Sequence, residues 1–293
     1  SRWYSENSDF MNGADWSKAV YWTNTDRLDA PEPAGRYPGA GEAPQLYGLN
    51  AVAYESLMVG VHYVHRGPKN DICDAGKFPK LIDLELGFSR DGFHWDRPDR
   101  RGFIVGSRTE GSWDRGYLQS TAGIFTVVGD QLIFPYMGAS GIAPNGNRGM
   151  YTGGAVGLAM LRRDGFASMD AEAGPTAGKL TTRPVTFQGR HVFVNAAMKK
   201  GQGELRVDVL DEAGTVVAAS KPATGDSTKQ RLEWVDQTDL AALAGKAVRF
   251  RFHVTHGSLY SFWVTPDAQG ASNGYLGGGG PAFTGVKDAL PSS

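Results

Sequence analysis

Apolar and polar positions alternate strictly in several stretches of the chain. In ELRVDVLDEAGTVVAAS, Leu205, Val207 and Val209 fall on one side and Arg206 and Asp208 on the other, before a turn at DEAG. VRFRFHV sets Val248, Phe250, Phe252 and Val254 against Arg249, Arg251 and His253 in the same way. A period of two marks a strand with one wet face, and antiparallel strands of that kind pair into a sandwich. Nearer the N-terminus the runs are more continuously apolar. AYESLMVGVHYV, residues 53–64, reads as one buried strand, and counting in twos from Glu55 places a carboxylate on the face of Leu57, Val59, Val61 and Tyr63. Helical periodicity is scarce. Its best candidate is DQTDLAALAGK, residues 236–246, capped by Asp236 or Thr238 and stopped at Gly245. Forty glycines in 293 residues punctuate the β-rich runs, so the pattern predicts an all-β protein.

A loose repeat organises the first half. SDFMNGADW, SRDGFHWDRP and RRDGFASMD share a polar residue, an Asp and a Phe, with a Trp in two of them. Asp9 and Asp91 lie 82 positions apart and Asp91 and Asp164 lie 73 apart, which suits one copy per four-stranded blade with variable loops. An Asp-Gly after a strand marks a turn whose carboxylate accepts backbone N–H groups while the Trp packs beneath, so these acids read as fold markers. The texture changes near Gly174-Pro175. The expected division is propeller blades over 1–174, a β-sandwich over 175–266 and a disordered tail over 267–293.

Composition narrows the function classes. Thirty Lys and Arg balance 31 Asp and Glu, and no basic cluster alternates with aromatics, so a nucleic-acid partner is not indicated. The longest apolar runs fall far short of the ~18 residues of a bilayer span, so no membrane insertion is expected. One cysteine, Cys73, excludes a fold resting on intrachain disulfides. The chain opens SRWYSENSDF without an initiator Met or a signal peptide, which predicts a processed or truncated chain.

Two long segments, RRDGFASMDAEAGPTAGKLTTRPVTFQGRHVFVN and LAGKAVRFRFHVTHGSLYSFWV, closely resemble the C-terminal half of bacterial proteins related to glycoside hydrolase families 32 and 43. PQLYGLNAVAYESLMVG and IDLELGFSRDGFHW resemble the preceding blade, and the likeness extends over residues 1 to 265. The resemblance implies a five-bladed β-propeller, incomplete in this chain, joined to a concanavalin-like β-sandwich, with sugars bound at the propeller's central pocket. The expected location is secreted or periplasmic in a bacterium, with the cytoplasm as the alternative, and the single cysteine fits either. In such propellers the general acid is a Glu at the start of an innermost strand, and YES places Glu55 at that position. A carboxyl desolvated among Tyr54, Leu57 and Val59 would have a raised pKa suited to that role; a strand-end Glu held by a salt bridge or by backbone N–H groups is the alternative. The family's nucleophile or base would lie upstream of Ser1.

Within the chain, Asp83 and Glu85 project to one side of a strand and are the next candidates, as a transition-state stabiliser or a sugar-hydroxyl acceptor; an ordinary exposed strand face explains them equally well. Gln45, Tyr47, Trp113, Tyr117, Gln119 and Tyr136 stand beside blade strands, where rings and amides can hold a sugar, although taken one by one such residues more often serve packing than a ligand. The His pairs 62/65 and 253/256 lack zinc spacing, DICDAG lacks the full calcium loop, and no complete dinucleotide or G-x-S-x-G motif occurs, so neither metal nor cofactor is expected. The leading reading is hydrolysis of glycosidic bonds in an oligo- or polysaccharide by paired carboxylates. A non-catalytic carbohydrate-binding or scaffold protein is the alternative, and a sialidase-like enzyme, for which SRDGFHW is one residue short of the expected turn, ranks third.

Overall fold

Runs rich in β-branched and aromatic residues, most of them ended by a glycine, proline or Asx turn, pair almost entirely with their antiparallel neighbours. A computed structural model describes residues 1–9, 11–171 and 177–289. The chain divides into two compact units. The first takes in Ser1–Thr126, Ile133–Met160 and Leu276–Gly278; the second takes in Val127–Leu132, Leu161–Tyr275 and the described residues from Gly279 onward.

Strands β1 (Arg2–Tyr4) and β2 (Val20–Thr23) form a small two-stranded sheet. Next come β3 (Gln45–Glu55), β4 (Leu57–His65) and β5 (Ile82–Ser89), paired in succession. β4, central in its sheet, is buried on both faces from Val59 to His65, which explains its unbroken apolar texture. A seven-residue helix, α1 (Asn70–Gly76), lies between β4 and β5 and buries Cys73. It falls on DICDAG. A second sheet holds β6 (Gly116–Ser120), β7 (Thr126–Val128), β8 (Gln131–Ala139) and β9 (Gly154–Arg162), with β8 paired to β6, β7 and β9. One face of β9 carries exposed Val156, Leu158 and Met160, while Gly157 on the other leaves room for the Trp113 ring.

The second unit is sandwich-like. β10 (Met169–Ala171), β11 (Gly178–Thr181), β12 (His191–Met198), β13 (Glu204–Leu210), β14 (Val216–Ala219), β15 (Asp226–Arg231), β16 (Arg249–Thr255) and β17 (Gly257–Thr265) form two four-stranded antiparallel sheets, ordered β10-β17-β12-β15 and β11-β16-β13-β14. The apolar positions picked out by alternation on β13 and β16 meet there in one core, with Val192, Val194, Trp234 and Leu259. The all-β class therefore holds.

Four expectations need revision or lie out of reach. The run 53–64 is not one strand: Tyr54 pairs with Leu57, so the chain reverses at Glu55-Ser56 and the run forms the tip of the β3–β4 hairpin. The helix expected over 236–246 reduces to a single 3-10 turn, Ala241–Leu243, whose first N–H is accepted by Asp239. Two turns are too few to sustain a helix in isolation, and burial of Leu240 in the sandwich core fixes the segment instead. The segment from 267 to 289 is not disordered: Leu276 is buried, and β18 (Tyr275–Leu276) pairs with β3 at the edge of the first unit's sheet. The border at Gly174-Pro175 falls outside the described residues.

Two of the three repeat aspartates, Asp91 and Asp9, act as turn markers. Asp91 Oδ1 accepts the N–H groups of Phe93 (2.9 Å) and His94 (2.8 Å). Trp95 beneath it donates its indole N–H to Gly92 O (3.0 Å) and packs so closely on Gly60 that a Cβ there would lie 2.4 Å from the ring. Asp9 likewise accepts the Met11 N–H, at 3.0 Å.

Candidate functional site

Glu55 occupies the first position of a two-residue hairpin loop with φ of 49°, in the left-handed region that costs an ordinary side chain roughly 1–2 kcal/mol. It is half-buried and its neighbour Ser56 is exposed. In a two-residue loop the flanking residues share a face, so Tyr54, not Glu55, lines up with Leu57 and Val59. Tyr54 is buried and meets Phe125 edge-on at 5.0 Å. The strand face that was to desolvate Glu55 thus carries Tyr54 in its place.

Asp83 and Glu85 do project to one side of β5, and one guanidinium spans them: Arg66 Nε donates to Asp83 Oδ2 (3.0 Å) while its Nη2 donates to Glu85 Oε1. The face is not wet. Arg108 forks onto Asp83 at 2.6 and 2.7 Å and reaches Glu32 with Nε at 3.0 Å. Arg97 joins Glu85 to Asp29, and Arg100 joins Asp29 to Asp26. With Arg36 on Glu32 (3.1 Å), guanidinium and carboxylate alternate through an unbroken chain from Arg36 to Asp26. The side chains of Asp29 and Glu85 are 0% exposed.

Burial raises the pKa of Glu85, and Arg97 and Arg66 pull against it. For Asp29 burial acts in the same direction, but hydrogen bonds from Arg97 and the Asp26 N–H, with the arginine charges, hold the carboxyl below its ordinary range. Burial works against the charge on Arg97 and Arg108 as well, and their acid partners outweigh it. An alternating, charge-balanced cluster of this kind fixes geometry. It ties the segment 26–36 to β5.

Strand register also separates the acids. Glu55 adjoins Leu57 at the hairpin tip, whereas Glu85 is paired with His62 and Asp83 with Val64 toward the other end of β4. At ~3.3 Å per residue these positions lie about 16 and 23 Å from the tip, well beyond the ~5–9.5 Å between the carboxyls of a glycosidase. The structure does not bring Glu55 together with Asp83 or Glu85.

The predicted aromatic positions fare differently. Tyr47 and Tyr117 share a hydrogen bond between their hydroxyls (3.0 Å), and their rings meet near-perpendicular at 6.0 Å. Tyr151, 54% exposed, packs against Tyr117 at 4.9 Å. The Lys80 ammonium lies 5.0 Å from the Tyr47 ring centroid and 6.0 Å from that of Tyr151. Tyr117 is held at φ of 53°, its N–H donating to Lys80 O at 2.7 Å. Burial, then the Tyr47 hydroxyl, raises the Tyr117 pKa, and Gln119 acts in the opposite direction. Trp113 and Tyr136 form a separate pair, with centroids 5.3 Å apart. Gln45 is exposed at the start of β3, opposite His65.

Sequence reasoning missed Lys80 and Tyr151, which sit in loops outside any periodic segment. It also missed Arg66, Arg97 and Arg108, although DRPDRR, with three arginines in a row of six, was a visible signal. Among the described residues no group of three or more His, Cys, Asp or Glu is placed to hold a metal ion. No helix of the described residues is long and apolar enough to cross a membrane. Set against known proteins, the chain matches no protein-family model, and no curated protein matches it.

Proposed function

We propose that the chain is a non-catalytic carbohydrate-binding protein, its first unit built from propeller-type blades and its second from a sandwich of the kind that accompanies such propellers. Two four-stranded antiparallel sheets, β18-β3-β4-β5 and the β6–β9 sheet, support the blade reading. The tyrosine cluster carries the functional reading. Tyr47, Tyr117 and Tyr151 offer ring faces and hydroxyls within one partly exposed group, with the buried Lys80 beside them, a mixture suited to the C–H faces and hydroxyls of a sugar. Tyr117 keeps a left-handed backbone to present its ring, and such strain concentrates at functional sites. Hydrolysis ranks below binding because Glu55 stands so far along the hairpin from Asp83 and Glu85.

Affinity electrophoresis through gels containing soluble polysaccharides tests the proposal. At least one polysaccharide retards the protein, and Tyr151→Ala, which truncates an exposed ring, weakens that retardation about 10-fold. Retardation by no polysaccharide, or by one that ignores both Tyr151→Ala and Tyr117→Ala, counts against it. Release of reducing ends from the same polysaccharides would return the hydrolase reading to first place.

A further inference from the structure

Strand β9 lies at the edge of its sheet and, among the described residues, pairs with β8 alone. Bonds just beyond its ends fix the register: Ser140 N–H donates to Gly153 O (3.2 Å) and Arg163 N–H to Asp130 O (2.8 Å). Equal numbers of residues separate these bonds on the two strands, so no bulge intervenes. In that register the odd-numbered residues of β9 turn their backbone N–H and C=O groups toward β8, and those of Gly154, Val156, Leu158 and Met160 point away from the sheet. The side chains of the last three are also open, 73, 58 and 62% exposed.

Other edges of the molecule are closed or charged. The outer edge of β5 is bonded at Leu84 by Phe103 and Ile104 and at Phe88 by Asp96. The edge strand β15 carries Asp226, Lys229 and Arg231. β9 has neither protection: from Gly149 to Leu161 there is no charged residue and no proline. A regular, uncharged, apolar edge of this length is a template for another strand.

We infer that this edge joins a second copy of the chain, the two β9 strands running antiparallel about a two-fold axis at Leu158 to make one continuous sheet. The strand fits itself. Its outward-facing apolar positions are symmetric about Leu158, so a reversed copy meets the same pattern, with Leu158 opposite Leu158 and Val156 opposite Met160. These are hydrogen-bonded pairs, and the three of them supply about six N–H···O=C bonds. The apolar side chains of both copies then stand side by side on one face, and no like charges oppose each other. No member of the tyrosine cluster lies on β9, so the inference does not depend on carbohydrate binding there.

Sedimentation velocity of the full chain from about 1 to 300 µM tests the inference. One strand pair makes a small contact, so the dimer forms with a Kd on the order of 10–100 µM. Leu158→Lys sets two like charges opposite each other at an exposed position and weakens the dimer about 10-fold or more, as does Leu158→Glu, and mixing the two variants restores association. Cross-linking separates edge pairing from stacking of two sheet faces. Leu158→Cys forms a disulfide between copies, because an edge pair brings the two Cα atoms to about 5.5 Å, whereas stacked sheets lie ~10 Å apart, too far to bridge. Val156→Cys alone does not cross-link, its copy lying about 13 Å away along the strand, but it does when mixed with Met160→Cys. Cys73 is fully buried, so the wild type serves as the blank. A monomer throughout the range would assign the edge to a strand of another protein and overturn the inference, as would a dimer indifferent to Leu158→Lys or a dimer that Leu158→Cys fails to cross-link.

Discussion

Phe250 and Phe252 of β16 face a core made only of Val, Leu, Ala, Met, Trp and Phe side chains, whereas on β5 the buried Ile82 and Leu84 alternate with Asp83 and Glu85, which are just as deeply buried. On paper the two strands look alike, each with apolar and charged residues in strict alternation. On β13 and β16 the charged face meets solvent: Arg206 is exposed, and Asp208 pairs with Arg251 and His253 at a half-open surface. On β5 it meets Arg66, Arg97 and Arg108. Periodicity therefore says which residues share a face but not what that face touches. A polar face can be sealed if distant segments deliver matching charges.

The contrast can be broken most severely at Arg97. Arg97→Met keeps much of the side-chain volume but removes the bridge between Asp29 and Glu85, and is expected to cost roughly 3–5 kcal/mol, as when one partner of a buried ion pair is lost. Phe252→Leu, a comparable change in the sandwich core, should cost only about 1 kcal/mol. Urea unfolding of both variants measures the difference, and equal costs would mean that the two interiors respond alike.

Acid should separate the units next. His62 is fully buried beside Trp95, both ring nitrogens lack hydrogen-bond partners among the described residues, and burial, then the charge of Arg97, lowers its pKa to about 3, with Asp29 opposing and Arg100 adding to the effect. The unfolded chain takes up this proton below about pH 6.5 and the folded chain only near 3, so stability falls as pH drops through that interval. The loss is on the order of 3 kcal/mol at pH 4. The lowered pKa of Asp29 adds to the acid loss, and the raised pKa of Glu85 opposes it. The fluorescence of Trp95 should report unfolding of the first unit at a higher pH than that of Trp234, which is buried in the sandwich core. His62→Leu should flatten the dependence between pH 6.5 and 4. An unaltered pH profile in that variant would assign the acid sensitivity elsewhere.

The smallest effect concerns two hairpins. The β13–β14 turn places Gly214 at φ of 84°, whereas the β3–β4 turn places Glu55 in the left-handed region. Glu55→Gly should stabilise the chain by up to about 1 kcal/mol, seen as a small rise in Tm. Destabilisation would show that the Glu55 side chain contributes more than its backbone costs.

That pair of turns also shows how far the sequence could be read. DEAG carried its glycine and was legible as a turn; Glu-Ser lacks the Asn, Asp or Gly that a tight hairpin usually requires, so the β3–β4 reversal left no local mark. The sandwich strands were legible because one face is wet and the other dry. The aromatic positions Tyr47 and Tyr117 could be singled out from their place beside strands, but not their contact, which joins residues 70 positions apart. The arginine chain was hidden for the same reason: Asp29 meets Arg97 across 68 positions and Glu32 meets Arg108 across 76.

Strand β18 adds a matter of timing. Leu276 to Gly278 belong to the first unit, with Gly277 N–H donating to Ala53 O at 2.8 Å, yet nearly all of the second unit lies between them and the rest of their sheet. During synthesis at ~5–20 residues per second, the outer edge of β3 must wait roughly 10–45 s after its own emergence for its last partner to leave the ribosome. For that interval the growing chain presents an unpaired edge to its neighbours on the polysome, where other copies carry the same edge.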